Sequence, residues 1–335
     1  MLKIGIIGSG FGLYGLLPAF NSIKNCQVVC ICGKRTKRLV EYCKSVGLKK
    51  IYYNWKLMLE SEKLDALALA VTPNAQYEIA NAAIRKSISI FAEKPLAANY
   101  EQAKDLLDLA VKKRIIHTMD FIFPEIEEWQ KVKQIIDKKK YGKLKHISVN
   151  WNFLSYDIKN KISSWKTDAK DGGGALSFFF SHALYYLECY AGEIIDARSA
   201  FSYSAESKNG GEVGVDTLIK FKNGICGNAN IYSNDKGLSR HQVIFICEKA
   251  TIVLENEKSV TENFKINIYN EKNSRRLFVK KSKVIDKNED ERVRIVRKIA
   301  GRFVKGCIGK TQVKPSFAEG LRAQSLIDKI RKNKI

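Results

Sequence analysis

Short apolar runs alternate with helix-like segments through the first third of the chain. The runs are rich in Ile, Val, Leu and Ala, and apolar residues at helical spacing follow most of them. They lie at 4–7, 27–32, 66–71, 89–92 and 115–119. Strands that alternate with helices in this way are typical of βαβ units, whose strands form a parallel sheet. The pattern predicts an α/β fold in which residues 1–122 form a Rossmann domain with a doubly wound parallel sheet.

The pattern changes in the remaining two thirds. One helix over about 126–138 precedes a long strand, 144–153, in which apolar residues occupy every second position. Five further strands with short turns follow, and the last helix is expected at 315–331. This order predicts, for residues 123–335, an α+β domain with a large, mostly antiparallel open sheet. Because such a sheet leaves one face free, we expect a homodimer or homotetramer formed through the C-terminal sheet.

The chain is strongly basic. It has 58 Lys and Arg against 35 Asp and Glu among 335 residues, a formal net charge of +23. Such a charge attracts nucleic acids, anionic membrane surfaces and phosphorylated small molecules. The cations are spread along the whole sequence, which contains no recognisable zinc-finger, RNA-binding or helix-turn-helix motif. We therefore expect an anionic small-molecule ligand and no specific nucleic-acid binding, with polyanion binding as an alternative.

The eight cysteines are scattered and form no CxxC pair. Those in apolar segments are typical of small buried side chains in a reducing compartment, so we expect neither disulfides nor a metal site. The N-terminal apolar run ends in a glycine turn without a cleavage-like tail, and no apolar segment is long enough to cross a bilayer. These features predict a cytoplasmic protein with no transmembrane segment.

A glycine turn follows the first strand, at positions 8–12 (Gly-Ser-Gly-Phe-Gly). In dinucleotide-binding folds the first glycine permits a tight turn, and the second lets the backbone approach a pyrophosphate at a helix N-terminus. The third position of the full pattern is Leu13, so Gly12 and Gly15 are expected to ease helix–strand packing instead. The turn predicts a nicotinamide or flavin cofactor, and a glycine turn without a nucleotide is the alternative.

The end of the second strand predicts which cofactor is preferred. NAD-specific sites place an acidic residue there, on the ribose hydroxyls. Here the segment 32–38 (Cys-Gly-Lys-Arg-Thr-Lys-Arg) has four basic residues and no acidic one. Lys34 or Arg35 could bind a 2′-phosphate through charge-assisted hydrogen bonds, while Thr36 could add a hydroxyl or cap the next helix. We therefore expect NADP to be preferred, with NAD as the second cofactor.

Further motifs occur at predicted strand ends and in the second domain. Thr72-Pro73-Asn74 ends one strand, Glu93-Lys94-Pro95 ends the next, and Gly172-Gly173-Gly174 precedes an apolar helix that contains a histidine. Together with the glycine turn, these motifs resemble the glucose–fructose oxidoreductase, inositol dehydrogenase and rhizopine catabolism family (Gfo/Idh/MocA) over essentially the whole chain. The resemblance implies an NAD(P)-dependent oxidoreductase that transfers hydride between nicotinamide and a secondary alcohol or ketone of a sugar, cyclitol or nucleotide-sugar.

The resemblance also implies roles for particular residues. Lys94 is expected near the reacting carbon, where its ammonium binds the substrate hydroxyl, and His182 is expected as the acid–base for the hydroxyl proton. The implied cofactor residues are Gly8, Ser9, Gly10, Phe11, Gly12, Lys34, Arg35, Thr36, Thr72, Pro73, Asn74, Gln76, Glu93 and Lys94. The implied substrate residues are Lys94, Asn150, Asn152, Trp165, Lys166, His182 and Tyr185.

Three positions around His182 depart from the common family pattern. An aspartate is usual four residues before the histidine, where this chain has Phe178, and a glycine and an aspartate are usual at Phe180 and Tyr185. Either Lys94 and His182 suffice, or a neighbouring tyrosine assists, or catalysis has been lost. The last alternative would leave a non-catalytic NAD(P)-binding sensor or scaffold.

A basic segment at 292–310 has the periodicity of an amphipathic helix. Val293, Val296, Ile299 and Phe303 share one face, and seven Lys and Arg residues make the segment basic. Contact with an anionic membrane surface is one interpretation. The other interpretation, which we favour, is a helix whose apolar face packs on a sheet while its basic side is solvated.

Overall fold

The computed structural model describes residues 1–207, 209–282 and 286–333. It divides into two compact units. The first unit combines Met1–Ile122 with Lys283–Arg322, and the second combines Phe123–Ser282 with Ala323–Ile335. The sequence pattern predicts one continuous second domain from residue 123 onwards. The structure differs from this prediction because the stretch from 283 to 322 returns to the first unit.

Six parallel strands form the sheet of the first unit, which confirms the predicted Rossmann fold. The strands are β1 (Leu2–Ile7), β2 (Cys26–Cys32), β3 (Ile51–Tyr52), β4 (Ala66–Leu69), β5 (Ser89–Ala92) and β6 (His117–Met119). Their order across the sheet is β3-β2-β1-β4-β5-β6. The winding direction reverses between β1 and β4, and ligands of such sheets bind at the carboxyl ends of the strands near that reversal.

Three helices of this unit begin at a residue whose side chain satisfies free N–H groups of the first turn. The oxygens of Thr36, Asn54 and Asn99 accept hydrogen bonds from the first turns of the second, third and fifth helices. The chain after β1 forms a π-helical turn, Gly12–Leu16, that continues as the first helix. The helices are α1 (Leu17–Asn21), α2 (Lys37–Ser45), α3 (Trp55–Ser61), α4 (Pro73–Arg85) and α5 (Tyr100–Lys113).

Eight strands form the sheet of the second unit, and the β7–β10 pair is its parallel pair. The strands are β7 (Leu144–Asn152), β8 (Ile194–Ser202), β9 (Gly214–Phe221), β10 (Cys226–Tyr232), β11 (Arg240–Cys247), β12 (Thr251–Glu257), β13 (Lys265–Tyr269) and β14 (Ser274–Leu277). Their order is β14-β13-β12-β11-β7-β10-β9-β8. This confirms the predicted large, mostly antiparallel sheet. The sequence pattern does not predict β13 and β14, which are both short, and β14 is also largely polar.

The two faces of this sheet differ as the alternation along β7 predicts. Ile147, Val149 and Trp151 are buried on the inner face. On that side the helices α6 (Glu127–Asp137) and α8 (Ser181–Ala191) contact the sheet. The outer face is polar, and Asn230 donates a hydrogen bond to Asn150 at 2.9 Å across neighbouring strands. A further short helix, α7 (Tyr156–Lys159), follows β7.

The basic segment near the C-terminus forms α9 (Val293–Gly309), and its apolar face is part of the first unit's core. Val296, Ile299 and Phe303 are buried, and α9 contacts α1, β1 and β5. The interpretation as a packed helix is therefore correct, since the apolar side that would face a membrane is covered. The last helix is α10 (Phe317–Lys332). Within the described ranges, no helix is long and apolar enough to span a membrane.

Replacing Phe303 by alanine should destabilise the first unit by about 3–5 kcal/mol, the usual cost of removing a buried aromatic ring. The ring is fully buried, and its centroid lies 6.4 Å from that of Phe20 and 5.8 Å from that of Phe91. Urea unfolding measures the change. Lys305→Ala on the exposed side of α9 is the control, and equal stability of both variants would contradict this packing of Phe303.

Candidate functional site

The glycine turn after β1 uses its three glycines in different ways. Gly8 has φ +134°, and a Cβ there would lie 2.2 Å from the carbonyl oxygen of Ala70. A Cβ at Gly12 would lie 3.3 Å from Ile6 Cγ2, so this glycine brings the helical turn close to the strand. Gly10 is exposed, and a Cβ there would meet no atom within 4 Å. The open side of Gly10 is therefore where a ligand can approach the backbone.

The basic turn after β2 lies beside the glycine turn. Ser9 joins them, because its Oγ accepts a hydrogen bond from the backbone N–H of Lys34 at 3.3 Å. Thr36 caps α2, with its Oγ1 accepting from the N–H of Leu39 at 3.2 Å. Capping is one of the two roles expected for Thr36, and the exposed Lys34 leaves its ammonium in solvent.

Two arginines of the basic turn lie over aromatic rings. The guanidinium carbon of Arg35 is 5.5 Å from the ring centroid of Tyr53, and that of Arg38 is 5.1 Å from the ring centroid of Tyr14. Such cation–π contacts favour one orientation of a side chain that would otherwise be flexible. Both charges are thereby held near the turn, where an anionic group could meet them.

The motifs after β4 and β5 lie at neighbouring carboxyl ends of the sheet. Thr72 and Asn74 are exposed where α4 begins, and Pro73 takes the first helical position, which needs no N–H donor. Glu93 and Lys94 directly follow β5. Lys94 is only 9% exposed, which is unusual for a lysine outside a functional or paired setting.

Gln76 supports the segment that carries Lys94. Its side chain is 1% exposed, and its amide nitrogen lies within hydrogen-bond distance of three backbone carbonyls, those of Glu93 (2.7 Å), Pro95 (2.9 Å) and Leu96 (3.1 Å). From the sequence, Gln76 is expected to bind the cofactor. Its donors are turned instead to the protein backbone, so the structure shows a positioning role for this side chain.

A carboxyl group that sequence reasoning missed lies beside this segment. Asp120 follows β6, the strand next to β5, and is 2% exposed. Burial raises the pKa of Asp120 well above its usual range, and the charge and hydrogen bond of Glu93 raise it further, while the charges of Arg292 and Lys94 oppose the shift. Glu93, Lys94 and Asp120 thus lie together at the carboxyl ends of β5 and β6. A polar residue directly after the last apolar run, 115–119, was the available signal for Asp120.

In the second unit, His182 belongs to an aromatic cluster on the inner face of the sheet. It lies on α8, is 7% exposed, and its ring stands perpendicular to that of Phe123 with centroids 5.1 Å apart. Phe123 also contacts Trp151 at 5.2 Å and His241 at 4.9 Å. His241 stacks flat on Trp151, with centroids 4.3 Å apart. His182 is therefore held against rigid rings.

His241 is the second residue that sequence reasoning missed. The hydroxyl of Tyr186, one helical turn after His182, lies 3.1 Å from His241 Nε2. Burial lowers the pKa of His241 to about 3, so the ring is neutral at physiological pH and Nε2 can accept the Tyr186 hydrogen bond. A histidine in an apolar strand was the signal, but the sequence does not show which residue it meets.

Acidification should destabilise the second unit through His241. The folded pKa of about 3 lies below the ordinary value of 6.5, so unfolding takes up a proton as the pH falls from 6.5 towards 3. The free energy of unfolding should drop by up to about 1.4 kcal/mol per pH unit in that window. His241→Gln, which can still accept from Tyr186, should show a shallower acid dependence in urea unfolding at pH 7, 6 and 5. His146→Gln on the outer face serves as the control, and parallel pH curves for all three proteins would contradict this role.

Asn150 and Asn152 lie on the opposite side of the sheet from His182. They alternate with Trp151 along β7, and Asn150 is bonded to Asn230 on the outer, polar face. The expectation that these asparagines accompany His182 at a substrate site therefore needs correction. The period of two in a strand turns adjacent residues to opposite faces, and this signal was already present in the sequence.

Trp165 and Lys166 lie with Phe178, the residue that stands where the family usually has aspartate. The rings of Trp165 and Phe178 are 5.4 Å apart and perpendicular, and the ammonium of Lys166 lies 4.9 Å from the centroid of Phe178. Lys166 Nζ is also 3.8 Å from Asp157 Oδ2. A cation on an aromatic face thus occupies this position, while Tyr185 is half-buried on α8.

The triple glycine encloses a buried carboxylate that sequence reasoning also missed. A Cβ at Gly174 would lie 2.3 Å from the carboxyl atoms of Glu212, and one at Gly173 would lie 1.9 Å from the Trp165 carbonyl oxygen. Glu212 accepts a hydrogen bond from the N–H of Leu176 at 3.0 Å. Arg331 donates to the Gly173 carbonyl at 2.9 Å. The glycines therefore allow the close packing that fixes the start of the His182 helix.

All eight cysteines are free thiols. Among the residues that the structure describes, no group of three or more His, Cys, Asp or Glu side chains is arranged to hold a metal ion.

Two family descriptions match the sequence. "Oxidoreductase family, NAD-binding Rossmann fold" matches residues 2–121, and "GFO/IDH/MocA C-terminal domain" matches residues 129–253. One match lies in each unit, so the two support the same assignment from separate stretches of the chain.

Curated relatives are oxidoreductases. An uncharacterized oxidoreductase of Synechocystis is 30% identical over 186 residues, 56% of this chain and 50% of the relative. Levoglucosan dehydrogenase of Pseudarthrobacter phenanthrenivorans is 25% identical over 273 residues, 72% of this chain and 70% of the relative. The matches span half to two thirds of the length of the first relatives.

Solved structures share the fold along nearly the whole chain. A levoglucosan dehydrogenase in complex with NADH and L-sorbose has a TM-score of 0.84 and 19% identity, with 99% of this chain and 96% of that chain covered. A 3-ketoreductase from Actinomadura kijaniata in complex with TDP-benzene and NADP has a TM-score of 0.80 and 17% identity, with 99% and 98% covered. At these identities the likeness establishes the fold.

Proposed function

The chain belongs to the Gfo/Idh/MocA family of oxidoreductases, and on that premise we propose that it is an NAD(P)-dependent dehydrogenase or reductase acting on a carbohydrate-type alcohol or ketone. The observation that carries the proposal is the cluster of Glu93, Lys94 and Asp120 at the carboxyl ends of β5 and β6. Burying ionisable groups is costly, so such a cluster at the ligand-binding edge of a Rossmann sheet favours a chemical role.

The residues of the first unit fit a nicotinamide dinucleotide. Gly10 leaves the backbone open, and Lys34 and Arg35 are exposed cations at the end of β2, where no acidic residue is present. These cations favour NADP, since a 2′-phosphate would meet them. When bound, the nicotinamide would supply or accept the hydride. The related folds hold either NADP or NADH, so the support for NADP comes from Lys34 and Arg35 of this chain.

Lys94 and His182 are the proposed catalytic residues. The Lys94 ammonium would bind the reacting oxygen and stabilise its developing negative charge. His182 would take the hydroxyl proton in the oxidation direction and return it in the reduction direction. Asp120 and Glu93 would set the electrostatic environment of Lys94, since their charges act on one another.

We propose a sugar, cyclitol or nucleotide-sugar as substrate. The 3-ketoreductase of similar fold was solved with a nucleotide analogue, and the related dehydrogenases act on sugars. The net charge of +23 favours an anionic member of this class. Trp165, Lys166 and Tyr185 are proposed contacts, because an aromatic face and an ammonium are typical partners of a sugar ring and a phosphate.

The test begins with the cofactor. Titration of the purified protein, followed by NADPH and NADH fluorescence, should show tight NADPH binding and at least tenfold weaker NADH binding, since one charge-assisted phosphate contact contributes about 1.5–3 kcal/mol. Arg35→Gln should reduce this preference while NADH affinity stays unchanged. Lys44→Gln, an exposed cation farther along α2, is the control. Failure to bind either dinucleotide would overturn the proposed function and favour polyanion binding.

A second candidate is a non-catalytic NAD(P)-binding sensor or scaffold. The observation that favours it is Phe178, whose ring packs on Trp165 where the family usually has aspartate. NADPH binding without oxidation or reduction of any member of a sugar and nucleotide-sugar panel would support this candidate over the enzyme.

We also propose a homo-oligomer formed through the outer face of the second sheet, and a cytoplasmic location. The support is the extended polar face with exposed Leu218 and Ile246, and the free state of all eight cysteines. Light scattering should show a dimer or tetramer for the wild type. Leu218→Glu should be a monomer, because the added charge dissociates the interface. A monomeric wild type would contradict the oligomer.

A further inference from the structure

Arg292 lies over the glycine turn, although it is 280 positions further along the chain. It directly precedes α9, in the stretch that returns to the first unit. Its guanidinium carbon is 4.3 Å from the ring centroid of Phe11 and 5.9 Å from that of Tyr14. Phe11 is the residue after Gly10, whose backbone faces open space. A delocalised cation is thus held beside the most accessible part of the turn.

Asp290 fixes the orientation of this guanidinium. Arg292 Nε and Nη2 donate to the two oxygens of Asp290, each at 2.8 Å, and the Arg292 backbone N–H donates to Oδ1 at 3.0 Å. The arrangement uses one edge of the planar fork. The N–H groups of Nη1 have no acceptor among the described residues, so a further anion could bind there. The Arg292 side chain is 31% exposed, and a ligand can therefore reach it.

Arg292 also lies between the two ends of the candidate site. On one side it shares the Tyr14 ring with Arg38, which belongs to the basic turn proposed for the 2′-phosphate. On the other side its positive charge acts on Asp120, which neighbours Lys94. In a dinucleotide, the pyrophosphate joins the adenosine end to the nicotinamide end.

We propose that Arg292 is a cofactor-binding residue, and that its Nη1 edge binds the pyrophosphate of NADP and NAD alike. The assignment rests on the proposed function, because it names a contact to the cofactor proposed there. Arginine suits this task, since its planar fork can bind one carboxylate and one phosphate in fixed geometry. The pairing with Asp290 orders the side chain before the ligand arrives, which lowers the entropic cost of binding.

The test is fluorescence titration of Arg292→Gln with both NADPH and NADH. Loss of a charge-assisted phosphate contact should weaken both dinucleotides by a similar factor, about 10–100-fold. ADP-ribose, which keeps the pyrophosphate but lacks nicotinamide, should lose affinity equally when it competes with NADPH. Arg292→Lys retains a charge without the fork and should lie between wild type and Arg292→Gln. Lys305→Gln removes the same charge from the exposed side of α9 and should bind like wild type.

The outcomes separate this assignment from the proposed function. If Arg292→Gln bound both dinucleotides with wild-type affinity, the assignment of Arg292 to the pyrophosphate would be overturned. A loss of affinity confined to NADPH would also overturn it, because that result would indicate a contact to the 2′-phosphate. Circular dichroism establishes whether each variant is folded. If Arg292→Gln does not fold, the dinucleotide affinities of Arg292→Lys decide the assignment. A wild-type protein that binds neither dinucleotide would overturn the proposed function together with this assignment, whereas wild-type binding with an unaffected Arg292→Gln overturns the assignment alone.

Discussion

Replacing Lys94 by alanine should lower turnover by about 10²–10⁴-fold, the range for removing a group that stabilises charge or transfers a proton in the transition state. The residue is 9% exposed at the end of β5, and its positive charge acts on the buried Asp120. Cofactor affinity should change little by comparison, because the proposed role of the ammonium is towards the reacting oxygen. A large loss in kcat at nearly constant NADPH affinity is therefore expected.

The measurement compares steady-state rates and NADPH titrations of wild type and variant on a sugar that the wild type converts. Lys104→Ala, an exposed lysine paired with Asp108 on α5, is the matched control and should retain full activity. His182→Ala should show a loss of similar size that is relieved at high pH in the oxidation direction, where hydroxide can take the proton. Retention of more than a tenth of the wild-type rate in Lys94→Ala would sink the catalytic assignment.

Replacing Gly8 by alanine should unfold the first unit or destabilise it by more than about 3 kcal/mol. A Cβ there would lie 2.2 Å from the Ala70 carbonyl oxygen, and φ is +134°, a region that residues with a side chain rarely adopt. Neither strand can move away easily, because β1 and β4 are paired in the centre of the sheet.

Gly10→Ala is the matched comparison for Gly8→Ala. Its Cβ would meet nothing within 4 Å, so the free energy of unfolding should stay within about 0.5 kcal/mol of wild type. Dinucleotide affinity should nevertheless fall at least tenfold, since the methyl group would occupy the space through which a pyrophosphate approaches the backbone. Urea unfolding and NADPH titration of both variants separate the two effects. Unchanged NADPH affinity in Gly10→Ala would favour a glycine turn without a nucleotide.

The first unit was largely predictable because its information is local. Each apolar run forms a strand, and the motif residues follow strands directly, so parallel pairing brings residues such as Gly10 and Lys94 to one edge of the sheet. The order of the strands was not encoded locally. The packing of α9 on the first unit was also not predictable, because the sequence of an amphipathic helix does not specify which sheet covers its apolar face.

The candidate site was predicted in part. Lys94 and His182 came from motifs, and their roles stay predictions. Three residues were missed: Asp120, His241 and Arg292. The role of each depends on contact with a residue far away in sequence, and no spacing rule connects such pairs. The placement of Asn150 on the outer face, by contrast, follows from alternation along β7. Adjacent residues of a strand face opposite sides of the sheet, so this placement is predictable from the sequence alone.

The division of the first unit into two stretches has a consequence for synthesis. A ribosome releases all six strands of the Rossmann sheet before it reaches residues 283–322, so Phe20 and Phe91 emerge long before the helix that carries Phe303. During that interval the nascent sheet exposes an apolar surface, and such surfaces are prone to aggregation or chaperone capture. The Rossmann unit, whose six strands precede the second sheet along the chain, is thus completed only after the whole intervening sheet domain has been translated.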